Sequence, residues 1–422
     1  MRTQHRANDG KNMKIAFVVS QFPTLSESFI VQQIVRLLER GHDVRIFADS
    51  NPQQPQVQKE VLQHHLLQKT SYSVSQPASK WLLRLKAAAY LFRYFLCCPQ
   101  TAARLVGTFR KEKYFSYAEV FFVSPFLREQ FDIVHAHFGP NGLKSLILKK
   151  IKLPIKFVAT FYGYDLGPYV LSGGHDVYRE LFQQGDTFIC ISDAGKEKLL
   201  KLGAPEEKMI KIPMGIDLNS IPFKHRSYNP PEAIRLLSVG RLVEMKGREY
   251  ALKAVAKLKD KYPLHYDIVG DGPLRPDLEK LAADLGLGSS VKFWGWTSSE
   301  ALTDLYDQAH LFVHPSITSS DGNQEGQGMV LLEAQACGIP VVATKHGAFP
   351  DSVIDGRTGF LVPEKDADAL AERLDFLISS PHLWPQMGRL GRRFVQDNFD
   401  SKILNNRLED IYRRLVQAKQ SQ

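Results

Sequence analysis

Long apolar runs are missing from this chain, and so is any cysteine framework. No stretch reaches the about 18 consecutive apolar residues that crossing a bilayer takes, so no transmembrane helix is expected. The opening MRTQHRANDGKN is polar and has no apolar core, unlike a signal peptide. Residues 1–12 are expected to form a disordered extension, with the first strand beginning near Lys14. The four cysteines, Cys97, Cys98, Cys190 and Cys337, form no C-x-x-C, and no Cys/His cluster has metal-ligand spacing. Neither a disulfide framework nor a zinc site is therefore expected, and a reducing cytoplasm is the simplest compartment. Acids are scarce in one stretch, 80–113, where eight basic residues face Glu112 alone.

What is present is ordinary core material in a basic chain. The 422 residues are 44% hydrophobic and carry a formal net charge of +9. That length implies two or three domains with cores of normal size. The charge favours anionic partners such as phospholipid headgroups or phosphorylated substrates. Nucleic acid is not expected, because no recognition module is legible. In 80–113 the cations interleave with Trp81, Leu82, Leu83, Leu85, Tyr90, Leu91, Phe92 and Phe95. The stretch reads equally as an amphipathic helix lying on an anionic membrane surface. It reads as well as a helix whose apolar face packs on its own domain while the basic face is solvated.

Short apolar strands alternate with helical stretches through both halves. Candidate strands are 15–20, 44–48, 133–137, 156–161, 187–191 and 209–213, then 236–239, 266–269, 291–294, 311–313, 341–343 and 360–362. Helices are expected at 29–40, 80–110 with a break at Pro99, 117–131, 143–150 and 194–202. The Gln- and Ser-rich 53–79 is expected to be a long surface loop. The alternation predicts an α/β fold with parallel sheets covered on both faces. Composition shifts to Pro, Asn and Ser around 213–231, the mark of an interdomain linker. After 367–378 comes a long helical segment, 384–417, broken near 399–401. The expected division is 13–215, a linker at 216–232, then 233–385 and a terminal 386–422. Two facing domains make the cleft between them the default site.

The densest chemistry lies in 312–363. An apolar run ends at His314-Pro315-Ser316, and a polar, Gly-rich loop leads into an apolar helix over 329–337, stopped by Gly338. Such a helix start offers unpaired N–H groups and a positive dipole end to an anion. Glu325 and Glu333 are separated by seven residues. On an uninterrupted helix they would stand about 12 Å apart, too far to share a metal but suited to the two ends of an elongated ligand. Upstream, Val239-Gly240-Arg241 and Lys246-Gly247 follow a strand end. Their glycines admit a ligand close to the backbone, and the guanidinium fork and the ammonium suit a diphosphate. Val269-Gly270-Asp271-Gly272-Pro273 is a second strand-to-helix turn, with Pro273 suited to the first helical position. In the first half, His135 and His137 share one side of a strand, His137 nearer its end. Ser26 suits the N-cap of the helix after Phe22-Pro23. Asp366-Ala367-Asp368 mimics a metal-binding Asp-x-Asp but sits where Asp caps a helix, and no required metal is expected.

E-G-Q-G-M-V-L-L-E-A, followed by G-I-P-V-V-A-T and G-x-x-G-F-L-V-P, resembles the nucleotide-sugar loop of the family-four retaining glycosyltransferases. The resemblance runs from Met13 to about Leu415 and is strongest from Val239 to Pro363. It implies the GT-B fold, two facing Rossmann-like domains with a C-terminal helix crossing back to the first. It also implies a retaining, metal-independent transfer of a sugar from a nucleotide-diphosphate donor to a hydroxyl acceptor, with no further cofactor. Carried over by position, Gly240, Arg241 and Lys246 meet the diphosphate, Glu333 the ribose, and Glu325 the transferred sugar. The backbone of Gln327, Gly328, Met329 and Val330 supports sugar and phosphate, and Trp296 lies near the base. His137 lies beside the scissile bond, with His135 structural. The catalytic set is then His137, Glu325, Arg241 and Lys246.

Tyr162, in Thr160-Phe161-Tyr162-Gly163-Tyr164-Asp165, stands where the family usually carries His. With Asp165 and Ser26 it is assigned to the acceptor side or the cleft wall, Asp165 either orienting neighbouring backbone or meeting the acceptor. The first loop resembles an F-P-x-L-S-E-T-F variant of bacterial exopolysaccharide transferases. Together with 80–113 it points to a lipid-linked or exopolysaccharide glycan acceptor, met by a cytoplasmic protein held peripherally at the inner membrane face. Two other readings stay open: a sugar-nucleotide 2-epimerase, which converts donor alone, and a catalytically idle nucleotide-sugar-binding subunit.

Overall fold

Strands built from Val, Ile, Ala and Phe with few polar interruptions need apolar cover on both faces, and parallel sheets flanked by helices supply it. The computed structural model describes residues 12–54, 57–73, 80–112, 116–227 and 233–420. Residues 1–11 of the expected extension, Lys113, and residues 228–232 of the expected linker lie outside these. The first sheet contains β1 (Lys14–Gln21), β2 (Asp43–Ser50), β3 (Thr70–Tyr72), β4 (Ile133–His137), β5 (Lys156–Phe161), β6 (Thr187–Cys190) and β7 (Met209–Lys211). All are parallel, in the order β3-β2-β1-β4-β5-β6-β7. The second contains β8 (Ile234–Val239), β9 (Leu264–Val269), β10 (Val291–Gly295), β11 (Leu311–His314), β12 (Val341–Thr344) and β13 (Gly359–Val362), again parallel, in the order β10-β9-β8-β11-β12-β13.

Both sheets therefore reverse their strand order once, at β1/β4 and at β8/β11. Loops leaving the carboxyl ends diverge at such a point and open a crevice for ligand. The period-two alternation sorts the core: Ala16 and Val18 of β1 join one apolar layer, while Ile15, Phe17 and Val19 join the other. The two sheets form the two expected Rossmann-like domains.

The long C-terminal segment breaks at Asp400, giving helices Trp384–Phe399 and Ser401–Gln420. Asp400 is pinned beside Ile216, whose N–H donates to Phe399 O (2.9 Å) and whose carbonyl accepts from Ser401 N–H (3.0 Å). Beyond the break, Leu404, Leu408, Ile411 and Tyr412 complete the apolar layer of the first sheet at helical spacing. Glu409, buried on the same helix, is paired with Arg40 and accepts from His42 (3.1 Å) and Arg413 (2.6 Å).

Three local expectations are corrected. The loop expected at 53–79 holds a short helix, Lys59–Gln63, and β3, which pairs with Ile46–Ala48 of β2; residues 55–56 and 74–79 lie outside the described ones. A three-residue edge strand is too short to show a period and forms by pairing with its neighbour. Ser26 caps nothing: it is exposed inside the 3-10 turn Leu25–Glu27, and helix Ser28–Glu39 has no side-chain N-cap. Pro273 lies before its helix, which runs Arg275–Asp284 with Pro276 in the first turn. The turn after Gly272 delays the helix because Arg275 N–H first bonds Gly272 O (3.1 Å).

Candidate active site

Gly240 ends β8 with its N–H on Val269 O (2.9 Å) and a φ of +140°. Arg241 beside it is exposed, while Lys246 is carried inward by the turn Glu244–Lys246. Gly247 has a φ of +58°, and a Cβ there would overlap the Pro315 carbonyl oxygen. Glycine is thus what lets the lysine turn pack against the end of β11.

From that turn the Lys246 ammonium reaches the Glu325 carboxylate, and the two form a nearly dry ion pair, each side chain 12% exposed. Glu325 also accepts from Ser316 Oγ (2.6 Å) and His314 Nε2 (2.9 Å), both at the end of β11. Its own N–H donates to His346 Nε2 (2.9 Å), so His346 donates from Nδ1 to Glu364 (2.6 Å). Burial alone would raise the Glu325 carboxyl, but Lys246, then His314, hold it well below its ordinary value. Burial lowers Lys246 against the pull of Glu325, and it lowers His314 to about 4, so His314 is neutral. Arg248 lies beneath, 2% exposed, one nitrogen on Val239 O (2.8 Å) and two others unpaired.

The loop enters its helix at Met329, not earlier, so Glu325 and Glu333 are not on one helix and the helical spacing does not hold. Gly328, in the left-handed region at φ +66°, makes the entry; a Cβ there would stand 2.6 Å from the Phe349 ring. The N–H groups of Met329 and Val330 precede the first intrahelical bond. Gln327 is buried, exchanging two side-chain hydrogen bonds with the Met214 backbone (2.7 and 2.6 Å). Glu333 is half-buried and accepts from Tyr306 OH (2.9 Å), and burial raises its carboxyl. Trp296 is 70% exposed, whereas Trp294 donates to Asp267 (2.7 Å). Asp366 caps helix Ala367–Ser379 through Ala369 N–H (2.8 Å), and Asp368 pairs with Lys257. Among the described residues no three His, Cys, Asp or Glu side chains could hold one metal.

The first domain presents a different wall. Asp165 is fully buried and accepts from the N–H groups of Gly139 (3.0 Å), Tyr162 (3.0 Å) and Gly163 (2.8 Å). It therefore shapes two strand-end loops and touches no open space. Burial raises its carboxyl to about 6 in spite of those bonds. Glu27, half-buried in the first loop, is raised by burial to about 7.

His137, at the end of β4, is fully buried. Its Nδ1 lies 2.7 Å from Tyr162 OH, and its Nε2 has no protein partner. His135 Nδ1 meets Tyr412 OH (2.5 Å) and its Nε2 meets Thr160 Oγ1 (2.7 Å), which lies beside Tyr162. Each tyrosine hydroxyl donating to its histidine's Nδ1 leaves His135 Nε2–H for Thr160 Oγ1 and one donor over, His137 Nε2–H. With the donors reversed, the Tyr412 hydroxyl, fully buried on the C-terminal helix, has no acceptor. The first arrangement assigns His137 the Nε2–H tautomer. Burial pulls both imidazoles down, His135 to about 3, so neither is charged at neutral pH.

The two walls meet. A Cβ on Gly326 would lie 3.2 Å from Tyr162 O, and one on Gly163 3.5 Å from Gln324 O. Lys198 Nζ donates to Gln324 (2.6 Å), and Asp193 N–H donates to Asp351 (3.1 Å). The structure thus brings His137, Tyr162 and Asp165 to the loop of Glu325 and Lys246, while Ser26 and Trp296 stay at exposed margins. Sequence reasoning gave no role to His314, Ser316, His346, Glu364, Arg248 or Glu27. His314 and Ser316 had a signal, a polar pair closing a buried strand.

This is the GT-B arrangement, two Rossmann-like domains with a polar crevice between their carboxyl ends. HepE of Anabaena, crystallised with UDP and glucose, has the same fold, with a TM-score of 0.67 at 18% identity over 95% of this chain and 99% of that one. Residues 26–220 match the family described as Glycosyltransferase Family 4, and residues 220–394 the one described as Glycosyl transferases group 1. The chain is 32% identical to the putative colanic acid biosynthesis glycosyltransferase WcaL of Salmonella typhimurium, over 94% of this chain and 99% of that protein. It is 30% identical to the amylovoran biosynthesis glycosyltransferase AmsK of Erwinia amylovora, over 96% and 100%. The chain belongs to the family 4 glycosyltransferases.

Proposed function

We propose that this protein is a retaining, metal-independent glycosyltransferase of exopolysaccharide assembly, moving a sugar from a nucleotide diphosphate to a hydroxyl of a lipid-linked glycan. The observation that supports it most is the meeting of the His137–Tyr162 wall with the Lys246–Glu325 loop across the crevice. The names of WcaL and AmsK support the class of product, and the UDP bound to HepE supports a nucleotide-diphosphate leaving group. On this reading 13–215 receives the acceptor and 233–385 the donor. The 216–232 linker joins them, and 386–422 ties the second domain back to the first.

The donor diphosphate takes Lys246 from Glu325 and adds Arg241, with the Gly240 turn and the helix start at Met329 supplying N–H groups. As the bond from the anomeric carbon to phosphate breaks, the electron pair leaves with the diphosphate, and the two cations bind it more strongly than in the ground state. The acceptor oxygen forms its bond on the same face, and its proton passes to the departing phosphate. His137 offers a sugar hydroxyl its Nε2–H, Glu325 faces the carbon where positive charge grows, and Glu333 holds the ribose. Closure of the crevice excludes water, which would otherwise take the sugar.

A thermal-shift screen with UDP-, GDP- and ADP-sugars tests this. One nucleotide class should stabilise the fold by about 2.7 kcal/mol at a hundredfold excess over Kd, and Arg241→Ala should lose the shift. No shift with any of them overturns the donor site. Conversion of donor without acceptor would make the protein an epimerase, and activity lost in chelator and restored by magnesium would overturn metal independence.

A further inference from the structure

Helix Lys80–Cys97 has two apolar faces, and only one of them is used. Leu83, Ala87 and Tyr94 are buried in the first domain's core, with Tyr90 and Leu91 packed against it. At 100° per residue, Trp81, Leu85, Phe92 and Leu96 fall within about 60° of one another on the opposite side. These four are open to solvent, Trp81 at 65%, Phe92 at 67% and Leu96 at 72%. Leu82 and Phe95 widen the stripe on either side and are exposed as well. A solvated helix normally turns polar residues outward, so this stripe needs an occupant.

Charge selects the occupant. Arg84 borders the stripe on one side and Lys86 and Arg93 on the other, all exposed. Arg104, Arg110 and Lys111 of the next helix, Pro99–Glu112, are exposed too. Glu112 closes that helix, and it is already paired with Lys150 (2.6 Å). A second copy of this chain would set these cations against their own images. Among the described residues no helix is long and apolar enough to cross a bilayer. We infer that the outer face of helix Lys80–Cys97 docks the protein on an anionic lipid surface, its aromatic and leucine stripe in the headgroup boundary and its cations at the phosphates. The long stems of Lys86, Arg84 and Arg93 let their charges rise to the headgroups while the stripe sinks. In purpose this rests on the reading of a lipid-linked acceptor, which the docked face would bring to the crevice. As a surface it stands without that reading.

The test is flotation of the full chain through a density gradient with vesicles of phosphatidylcholine, or of phosphatidylcholine mixed with phosphatidylglycerol. The protein should float with the mixed vesicles, stay below with the neutral ones, and be released by salt. Leu85→Glu with Phe92→Glu should abolish flotation. Arg84→Gln with Lys86→Gln and Arg93→Gln should weaken it about fivefold per cation. All these positions are exposed, so Tm and the donor-induced thermal shift should not change, which separates failure of the surface from failure of the donor site. A wild-type protein that ignores anionic vesicles, or variants that float as well as it does, overturns the inference. So does a dimer, seen by sedimentation, that the Leu85→Glu/Phe92→Glu variant dissolves, since it assigns the stripe to a second copy.

Discussion

The two walls of the crevice are built on opposite electrostatic plans. The second domain's wall is charged: Lys246, Glu325, Arg248 and Arg241 crowd the ends of β8 and β11. The first domain's wall is neutral: His137, His135, Tyr162, Thr160 and Tyr412 share hydrogen bonds and no net charge. In the proposed reaction negative charge grows on the diphosphate and positive charge on the anomeric carbon. Cations on the first side assist the leaving group, whereas an imidazolium beside the carbon would oppose it. Burial that keeps His137 neutral therefore gives a hydrogen-bond donor without the penalty of a positive charge. The charged wall must also be stable by itself, and Lys246 and Glu325 neutralise each other there, a pair that the proposed reaction has the donor separate.

The comparison breaks most visibly at the ion pair. Lys246→Ala or Glu325→Ala should lower turnover by about 10²–10³ if each supplies one transition-state contact. Lys246→Met should also cost about 3 kcal/mol of stability in urea, because it leaves a buried carboxylate without its countercharge. Lys246→Met combined with Glu325→Gln should recover that stability and none of the turnover. Single variants as stable as wild type would show that the pair is solvated in solution.

Glycines test the same contrast through shape. Gly247→Ala drives a Cβ into the Pro315 backbone and should cost about 3 kcal/mol by urea midpoint, with turnover lost as Lys246 shifts. Gly139→Ala meets the Tyr178 side chain instead. A side chain yields more readily than a backbone, and about 1–2 kcal/mol is expected. Equal costs would mean that the loop after β8 is free to move.

Acid acts through buried histidines on both walls and through a buried carboxyl that opposes them. His135 is lowered to about 3 and His314 to about 4, and His137 is lowered as well. The unfolded chain then binds more protons than the folded one below about pH 6.5, so stability falls as pH drops from there toward 4. Asp165, raised to about 6, acts oppositely: its folded form takes up a proton before the unfolded one does, and it partly offsets the loss between pH 6 and 4. Glu325, held well below its ordinary value, loses its contribution only at the acid end. Urea midpoints between pH 7 and pH 4.5 should fall for wild type and fall less steeply for His135→Asn, which has nothing to protonate. Parallel curves would remove the buried neutral histidine from the account.

Much of this was legible where the signal is local. Apart from the three-residue β3, the strands of both sheets announce themselves as short apolar runs, and the break at Asp400 and the cap at Asp366 follow from composition. The loop 312–363 and the Gly240–Gly247 turn gave the charged wall, because its cations and carboxylates sit beside glycines that serve no core. The neutral wall was legible as two histidines on a strand and, through the resemblance, as Tyr162 and Asp165, but not as a set of hydrogen bonds. Tyr412 lies 277 residues from His135, and no periodicity records that its hydroxyl points there. Asp165 reads either as orienting neighbouring backbone or as meeting the acceptor, and the three backbone N–H groups it accepts from are brought together only by the folded loops. Lys246 becomes the partner of Glu325 because β11 lies beside β8, a fact of strand order. The outer stripe of Lys80–Cys97 was visible as composition, but which face packs inward was not.

The smallest expected effects read the hydrogen-bond chain itself. Tyr162→Phe removes the donor to His137 Nδ1 and leaves a buried lone pair, a cost of about 1 kcal/mol. The imidazole proton is then free to move to Nδ1, and the Nε2–H is no longer fixed. Turnover should fall about five- to tenfold in kcat, with the donor KM nearly unchanged and the pH profile unaltered, since the ring stays neutral. Tyr162→His, whose ring N–H can donate in the same place, should retain most of the rate. Tyr412→Phe removes the hydroxyl from the neighbouring His135 rather than from His137, and should cost stability by about 1 kcal/mol while leaving kcat within about twofold. A chain that merely packs predicts equal, small losses at both tyrosines and no rescue by histidine. Only a chain that sets the tautomer of His137 predicts a kcat effect that fades with distance from it.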